Sequence, residues 1–159
     1  MSSTDVGSAA AADAAELSTI DMKLEVVTLP VSDVDRAKDF YVSLGWRMDI
    51  DLEVSDDFRV VQVTPPHSEC SIQFGKGRTT AQPGSAQAMI LVVTDIETAR
   101  ADLIGRGVDV GEVEIQKPPA FADAPGRSYF ARASFSDPDG NTWELQEITT
   151  RLPGREWED

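Results

Sequence analysis

The chain contains one segment twice. "LPVSDVDRAKDFYVSLGW" (29–46) aligns with "LVVTDIETARADLIGRGV" (91–108) at a constant offset, placing Val31 on Val93, Asp33 on Asp95, Ala37 on Ala99, Lys38 on Arg100 and Gly45 on Gly107. Such a repeat constrains the fold strongly, because each copy must build the same supersecondary unit. In both copies a hydroxyl residue precedes an acid at the spacing of a capping box, Ser32 with Asp35 and Thr94 with Glu97. Val34, Ala37, Phe40, Tyr41 and Leu44 then share one helical face, as do Ile96, Ala99 and Leu103. Gly45 and Gly107 supply the residue that accepts a left-handed backbone at a helix end.

A β-rich run precedes each helix, "KLEVVTLPV" (23–31) and "AMILVVT" (88–94). Three shorter candidate strands follow each: "WRMDIDLEV", "FRVVQVTP" and "ECSIQFG" in the first copy, "VDVGEVEIQ", "SYFARASFS" and "TWELQEI" in the second. The pattern predicts an α+β chain of two tandem βαβββ modules, 22–75 and 87–149, whose mostly antiparallel sheets curl into a cup. The Gly/Pro-rich stretch 76–86 reads as the linker between them. Residues 1–21, rich in Ala, Ser and Asp, read as a disordered tail, and 150–159 as an extension whose Trp157 packs on a neighbouring surface.

Composition excludes several partners. With 28 acidic residues against 14 basic ones and a formal net charge of −14, the chain lacks the clustered cations that nucleic acid requires. The same charge disfavours anionic membrane surfaces, and no apolar run approaches the roughly 20 residues that span a bilayer. A single cysteine fits a reducing compartment, so the expected location is cytoplasmic.

The tandem repeat, opened by "PVSDVDRAKDFYVSLGW" and closed by "SFSDPDGNTWELQE", resembles the vicinal oxygen chelate superfamily. That group includes glyoxalase I, extradiol dioxygenases and bleomycin-resistance proteins. The resemblance covers roughly residues 22–149. It implies a pocket lined by one face of the strands, and in metal-dependent members four ligands from the first and last strands of the modules. Counting back along the family pattern from Asp33 and Asp95 reaches Val26 and Ala88, which cannot bind a metal. Glu144 matches the last ligand position; Gln73 is the counterpart in the first module, with Ser71 as the alternative. The resemblance therefore implies no resident metal, while leaving room for a weakly held divalent ion completed by substrate and water. His67 in "TPPHSE" reads as a turn residue, and Cys70 as a packing thiol.

Strand alternation places Val26, Thr28 and Pro30 on the cup side of the first strand, and Ala88, Ile90 and Val92 on that of the second module's first strand. Glu144 lies on the cup side of the last strand, with Arg132 nearby. The expected cavity is apolar with a few polar groups, a small-molecule site. Its ligand-binding set is Val26, Thr28, Gln73, Ala88, Ile90 and Arg132, and Glu144 is the candidate catalytic residue. An acidic groove would concentrate cationic ligands. The loop "KPPAFADAPGRSYF" (117–130) reads either as a lid carrying Phe121 or Tyr129, or as an ordinary variable loop.

Three functions stay open. The first is a small-molecule binding protein of the bleomycin-resistance type, working without metal. The second is a lyase, isomerase or dioxygenase-type enzyme that uses Glu144 as a base or as ligand of a degenerate metal site. The third is a protein-interaction module. A homodimer is the expected assembly.

Overall fold

The computed structural model describes residues 16–155. The first module comprises β1 (Val26–Thr28), α1 (Val34–Ser43), β2 (Arg47–Ser55), β3 (Phe58–Thr64) and β4 (Ser71–Lys76). The second comprises β5 (Met89–Val93), α2 (Ile96–Gly105), β6 (Glu114–Ile115), β7 (Ala131–Ser136) and β8 (Thr142–Glu147), with a short 3-10 turn at Pro119–Phe121. Each module forms one four-stranded sheet, ordered β1-β4-β3-β2 and β5-β8-β7-β6. The first strand pairs parallel with the last, and the other pairings are antiparallel. This is the α+β architecture the repeat predicts.

The helix starts sit one residue from where capping boxes would put them. Asp33 and Asp95 are the N-caps, their carboxylates accepting from the backbone N–H of Arg36 and Thr98. An aspartate satisfies the same orphan donors as the expected serine or threonine. Ser32 is thereby released to donate to Asp139, and the two acids reach arginines: Asp35 pairs with Arg59 and Glu97 with Arg127. Gly45 and Gly107 close the helices with φ of 86° and 91°.

One core joins the modules. The helix-facing side chains of both sheets, among them Leu29, Val61, Val63, Phe74, Ala133, Phe135 and Leu145, are buried in a single cluster with Tyr41 and Trp46. Trp143 of β8 packs edge-on against Trp46, with ring centroids 5.1 Å apart, and its indole N–H donates to the Tyr41 hydroxyl at 2.9 Å. That hydroxyl donates in turn to Asp137. Burial, with the Asp137 charge second, pushes the Tyr41 hydroxyl far above the ordinary phenol range, so it stays a donor.

The turn at 137–141 holds the second module to the first. Asp137 accepts from the backbone of Asp139 and Asn141, while the Asn141 amide donates to Asp137 and to the Pro30 carbonyl. Pro30, two residues beyond the end of β1, is buried, and its carbonyl accepts from Asn141 of the second module. The stretch read as a linker is pinned here as well. Gly84, at φ 81°, donates to the Pro30 carbonyl, and a Cβ on it would lie 2.1 Å from the Asp139 carbonyl oxygen. Among the described residues no helix is long and apolar enough to cross a membrane.

Candidate functional site

The sheet faces turned away from the helices carry the candidate residues. In the first module Val26 lies beside Ser71 and Thr28 beside Gln73, which in turn lies beside Gln62 of β3. Gln73 and Ser71 thus share the cup face. Ser71 is buried and bonded to the Thr64 hydroxyl, leaving half-buried Gln73 as the accessible amide. Gln73 donates to Gln62 at 2.8 Å and accepts from Arg78 at 2.8 Å. Gln62 and Thr64 both donate to Asp49, which also pairs with Arg47. Burial would raise the Asp49 carboxyl, but Arg47, Thr64 and Gln62 outweigh it and hold the group below the usual carboxylate range. Beside this polar chain, Ile50, Leu52 and Val54 of β2 stand exposed.

In the second module Ile90 lies beside Glu144, and Arg132 donates from Nη1 to Glu144 Oε1 at 3.0 Å. The Glu144 side chain is 18% exposed and its second oxygen faces no hydrogen-bond partner among the described residues. Ile90 and Val92 are exposed. Ala88 departs from the expected strand. It precedes β5 and takes φ 54°, a left-handed conformation, with its N–H donating to the Thr142 hydroxyl at 2.6 Å. The structure therefore assembles the predicted residues as two groups, Val26–Thr28–Gln73 and Ala88–Ile90–Arg132–Glu144. Among the described residues no hydrogen bond or ion pair links one group to the other.

The loop 117–130 borders an open hollow. A cavity of about 550 Å³ lies beneath it, lined by Gln116, Lys117, Pro118, Phe121, Tyr129, Phe130, Arg132 and Leu152. We term the loop 117–130 the lid; its Phe121 and Tyr129 both line the cavity. Arg127 anchors the lid's C-terminal end, its guanidinium bridging Glu97 at 2.6 Å and Glu147 at 2.7 Å. Lys117 closes the other end by donating to the Ala124 carbonyl. The extension beyond β8 forms the far wall: Ser128 Oγ accepts from the N–H groups of Thr149 and Thr150, and the Tyr129 hydroxyl accepts from Leu152 N–H. Trp157 and residues 1–15 lie outside the described residues. A second hollow of about 420 Å³, between Phe40 and the β7 edge, contains none of the predicted site residues.

Sequence reasoning missed Asp49, Gln62, Lys117, Phe130 and Leu152. Alternation along β3 could have placed Gln62 beside Gln73, since both strands read clearly. Nothing local announces that Leu152 returns to the lid.

The four positions at which the resemblance would place metal ligands carry few free donor atoms here. Val26 and Ala88 offer no donor atom, the Gln73 amide is engaged on both sides, and one Glu144 oxygen is held by arginine. Elsewhere Asp95, Glu97 and Glu147 bring carboxylate oxygens within 4.8 Å of one another, but Arg127 supplies the cation for Glu97 and Glu147. The Cys70 thiol is pushed up by burial and by Glu25, which makes it a poor nucleophile, and His67 is an exposed turn residue at φ 63°.

Residues 23–145 match the family model described as the glyoxalase/bleomycin resistance protein/dioxygenase superfamily. Among solved structures, the chain is 29% identical to TnmS3, an antibiotic binding protein from Streptomyces sp. CB03234, over 83% of this chain and 100% of that one, with a TM-score of 0.66. It is 31% identical to a glyoxalase/bleomycin resistance protein from the same organism, over 78% and 99% of the two chains, with a TM-score of 0.60. A superfamily member from Sphaerobacter thermophilus DSM 20745 is 30% identical over 80% and 98%, with a TM-score of 0.63. No curated protein matches the chain.

Proposed function

The chain belongs to the glyoxalase/bleomycin resistance protein/dioxygenase superfamily, and from that premise we propose that it binds a small organic molecule of the antibiotic type, without a metal. One observation carries the reading: Arg132 lies both on the cup face beside Glu144 and in the wall of the lidded cavity. The sheet face thus continues into a hollow with aromatic walls and a few polar groups, the combination that small-molecule sites share. The antibiotic-binding relative supports the ligand class. Val26, Thr28, Gln73, Ala88 and Ile90 form the rest of the contact surface. A second copy of the chain covers exposed Ile50, Leu52 and Val54, and the complex works in the cytoplasm.

The test is a melting-temperature screen of antibiotics and aromatic metabolites in buffer with and without chelator. A ligand in excess over its dissociation constant raises the melting temperature, by about 2.7 kcal/mol of stability at a hundredfold excess. The expected outcome is ligand stabilisation that chelator does not change. Loss of binding with chelator, restored by Mn²⁺ or Ni²⁺, would sink the metal-free reading.

The free second oxygen of Glu144 favours one alternative, a lyase or isomerase in which that oxygen removes a proton from a bound carbonyl compound. Under the binding reading Glu144→Gln weakens ligand binding modestly. Under the enzymatic one it abolishes turnover of a ligand from the screen while binding persists.

A further inference from the structure

The charge of the lid cavity runs against the charge of the chain. A protein with 28 acids and 14 bases would be expected to line its pockets with acid, yet this cavity is lined by Lys117 and Arg132 and by no carboxylate. Two acids stand beside Arg132, each with one oxygen bonded. Glu144 holds Arg132 Nη1, and Glu114, beside Arg132 in the sheet, accepts from Gln116. Arg132 makes one hydrogen bond among the described residues, so Nε and Nη2 remain available as donors. Guanidinium donors in that fork geometry match a carboxylate or another oxyanion.

The remaining walls are aromatic and held in place. Phe121 and Phe130 lie with ring centroids 5.7 Å apart at 46°, and the Lys117 ammonium stands 5.7 Å above the Phe130 ring. Tyr129 occupies a left-handed conformation, φ 72°, which an aromatic residue adopts only when its surroundings impose it. They do so at three points: its N–H donates to Glu147, its carbonyl accepts from Gln146, and its hydroxyl accepts from Leu152. A wall fixed in this way is organised before any ligand arrives.

We propose that the lid cavity is a binding subsite for a planar aromatic anion, the ring seated among Phe121, Tyr129 and Phe130 and the anionic group on Arg132 with Lys117 alongside. This reverses the expectation of a cationic ligand, and it rests on the reading of the chain as a small-molecule binder. The ring gains from stacking and area burial, and the oxyanion from charged hydrogen bonds in a partly desolvated space.

The experiment is isothermal titration of the full chain with 2-naphthoate, its neutral analogue 2-naphthalenemethanol, and the non-aromatic cyclohexanecarboxylate. Binding of 2-naphthoate at one per chain is expected, about tenfold tighter than either analogue. Phe121→Ala and Arg132→Gln should each weaken it about tenfold; Phe121 is 47% exposed, so its truncation leaves the fold intact. Val54→Ala, at an exposed position of β2 outside both the contact surface and the lid cavity, should leave it within about twofold. Equal binding of the three probes, or no loss in Phe121→Ala, overturns the proposal. So does an equal loss in Val54→Ala, which would mark adsorption to exposed apolar surface. If naphthoate fails to bind while ligands from the melting screen still do, this proposal falls alone; if both fail, the binding function falls with it.

Discussion

The two modules descend through the same βαβββ order but spend their second strand differently. In the first, β2 is a nine-residue strand paired along most of β3. In the second, β6 keeps two residues, and the chain then leaves the sheet to form the lid before returning at β7. The helix acid at equivalent positions records the change. Asp35 meets an arginine of the sheet, Arg59, whereas Glu97 meets an arginine of the lid, Arg127. Shortening one edge strand therefore frees the segment 117–130 to wall a hollow while the helix and the core keep the same plan.

The largest expected effect tests whether the modules are separate at all. Trp143→Ala removes the indole that packs on Tyr41, Trp46 and Phe135, and should cost about 3–5 kcal/mol. Because the core is continuous, the loss should appear as one earlier thermal transition; two resolved transitions would break the picture of a shared core.

Next comes the first module's ion cluster. Hydrogen bonds from Arg59 and then Lys38 hold the Asp51 carboxyl well below its usual 3.8. A carboxyl depressed on folding gives stability that is present above that usual value and lost as pH falls below it. Asp51→Asn should cost about 1–3 kcal/mol at neutral pH. It should also flatten the stability-against-pH curve below about pH 4. An unchanged acid limb would show that other carboxylates govern it.

The smallest effect is local to the second module. Hydrogen bonding to Arg127 lowers the Glu97 carboxyl from 4.5, so this clamp holds above that pH and weakens below it. Arg127→Ala should speed amide exchange across 117–130 at neutral pH while β2 and β3 keep their protection. Uniform exchange changes across both modules would mean that the lid is not an independent unit.

Sequence reading reached the repeat, both helices, the parity of β1 and the pairing of Glu144 with Arg132, because each follows from a period or a register within one segment. It misplaced the caps by one residue, since Ser32 and Asp33 can both accept the same N–H bond and only the tertiary partner Asp139 claims the serine. It read nine residues of strand at 108–116, where two form, because alternation cannot show that only Glu114 and Ile115 find ladder partners on β7. It read Ala88 as strand although the Thr142 hydroxyl captures its N–H in a left-handed turn. The lid cavity depends on Leu152 meeting Tyr129, a contact between segments whose local patterns carry no sign of each other.

The turn at 137–141 gives the repeat a lopsided ending. Asp137, Asp139 and Asn141 come from the second copy, yet they take bonds from Tyr41, Ser32 and Arg36 and give one to Pro30, all in the first. Cut between the copies, the first half would carry a buried tyrosine with no acceptor, and the second a buried aspartate stripped of its outside donor. What reads as a duplicated text has become a single clause: its two halves can be aligned, but neither can be spoken alone.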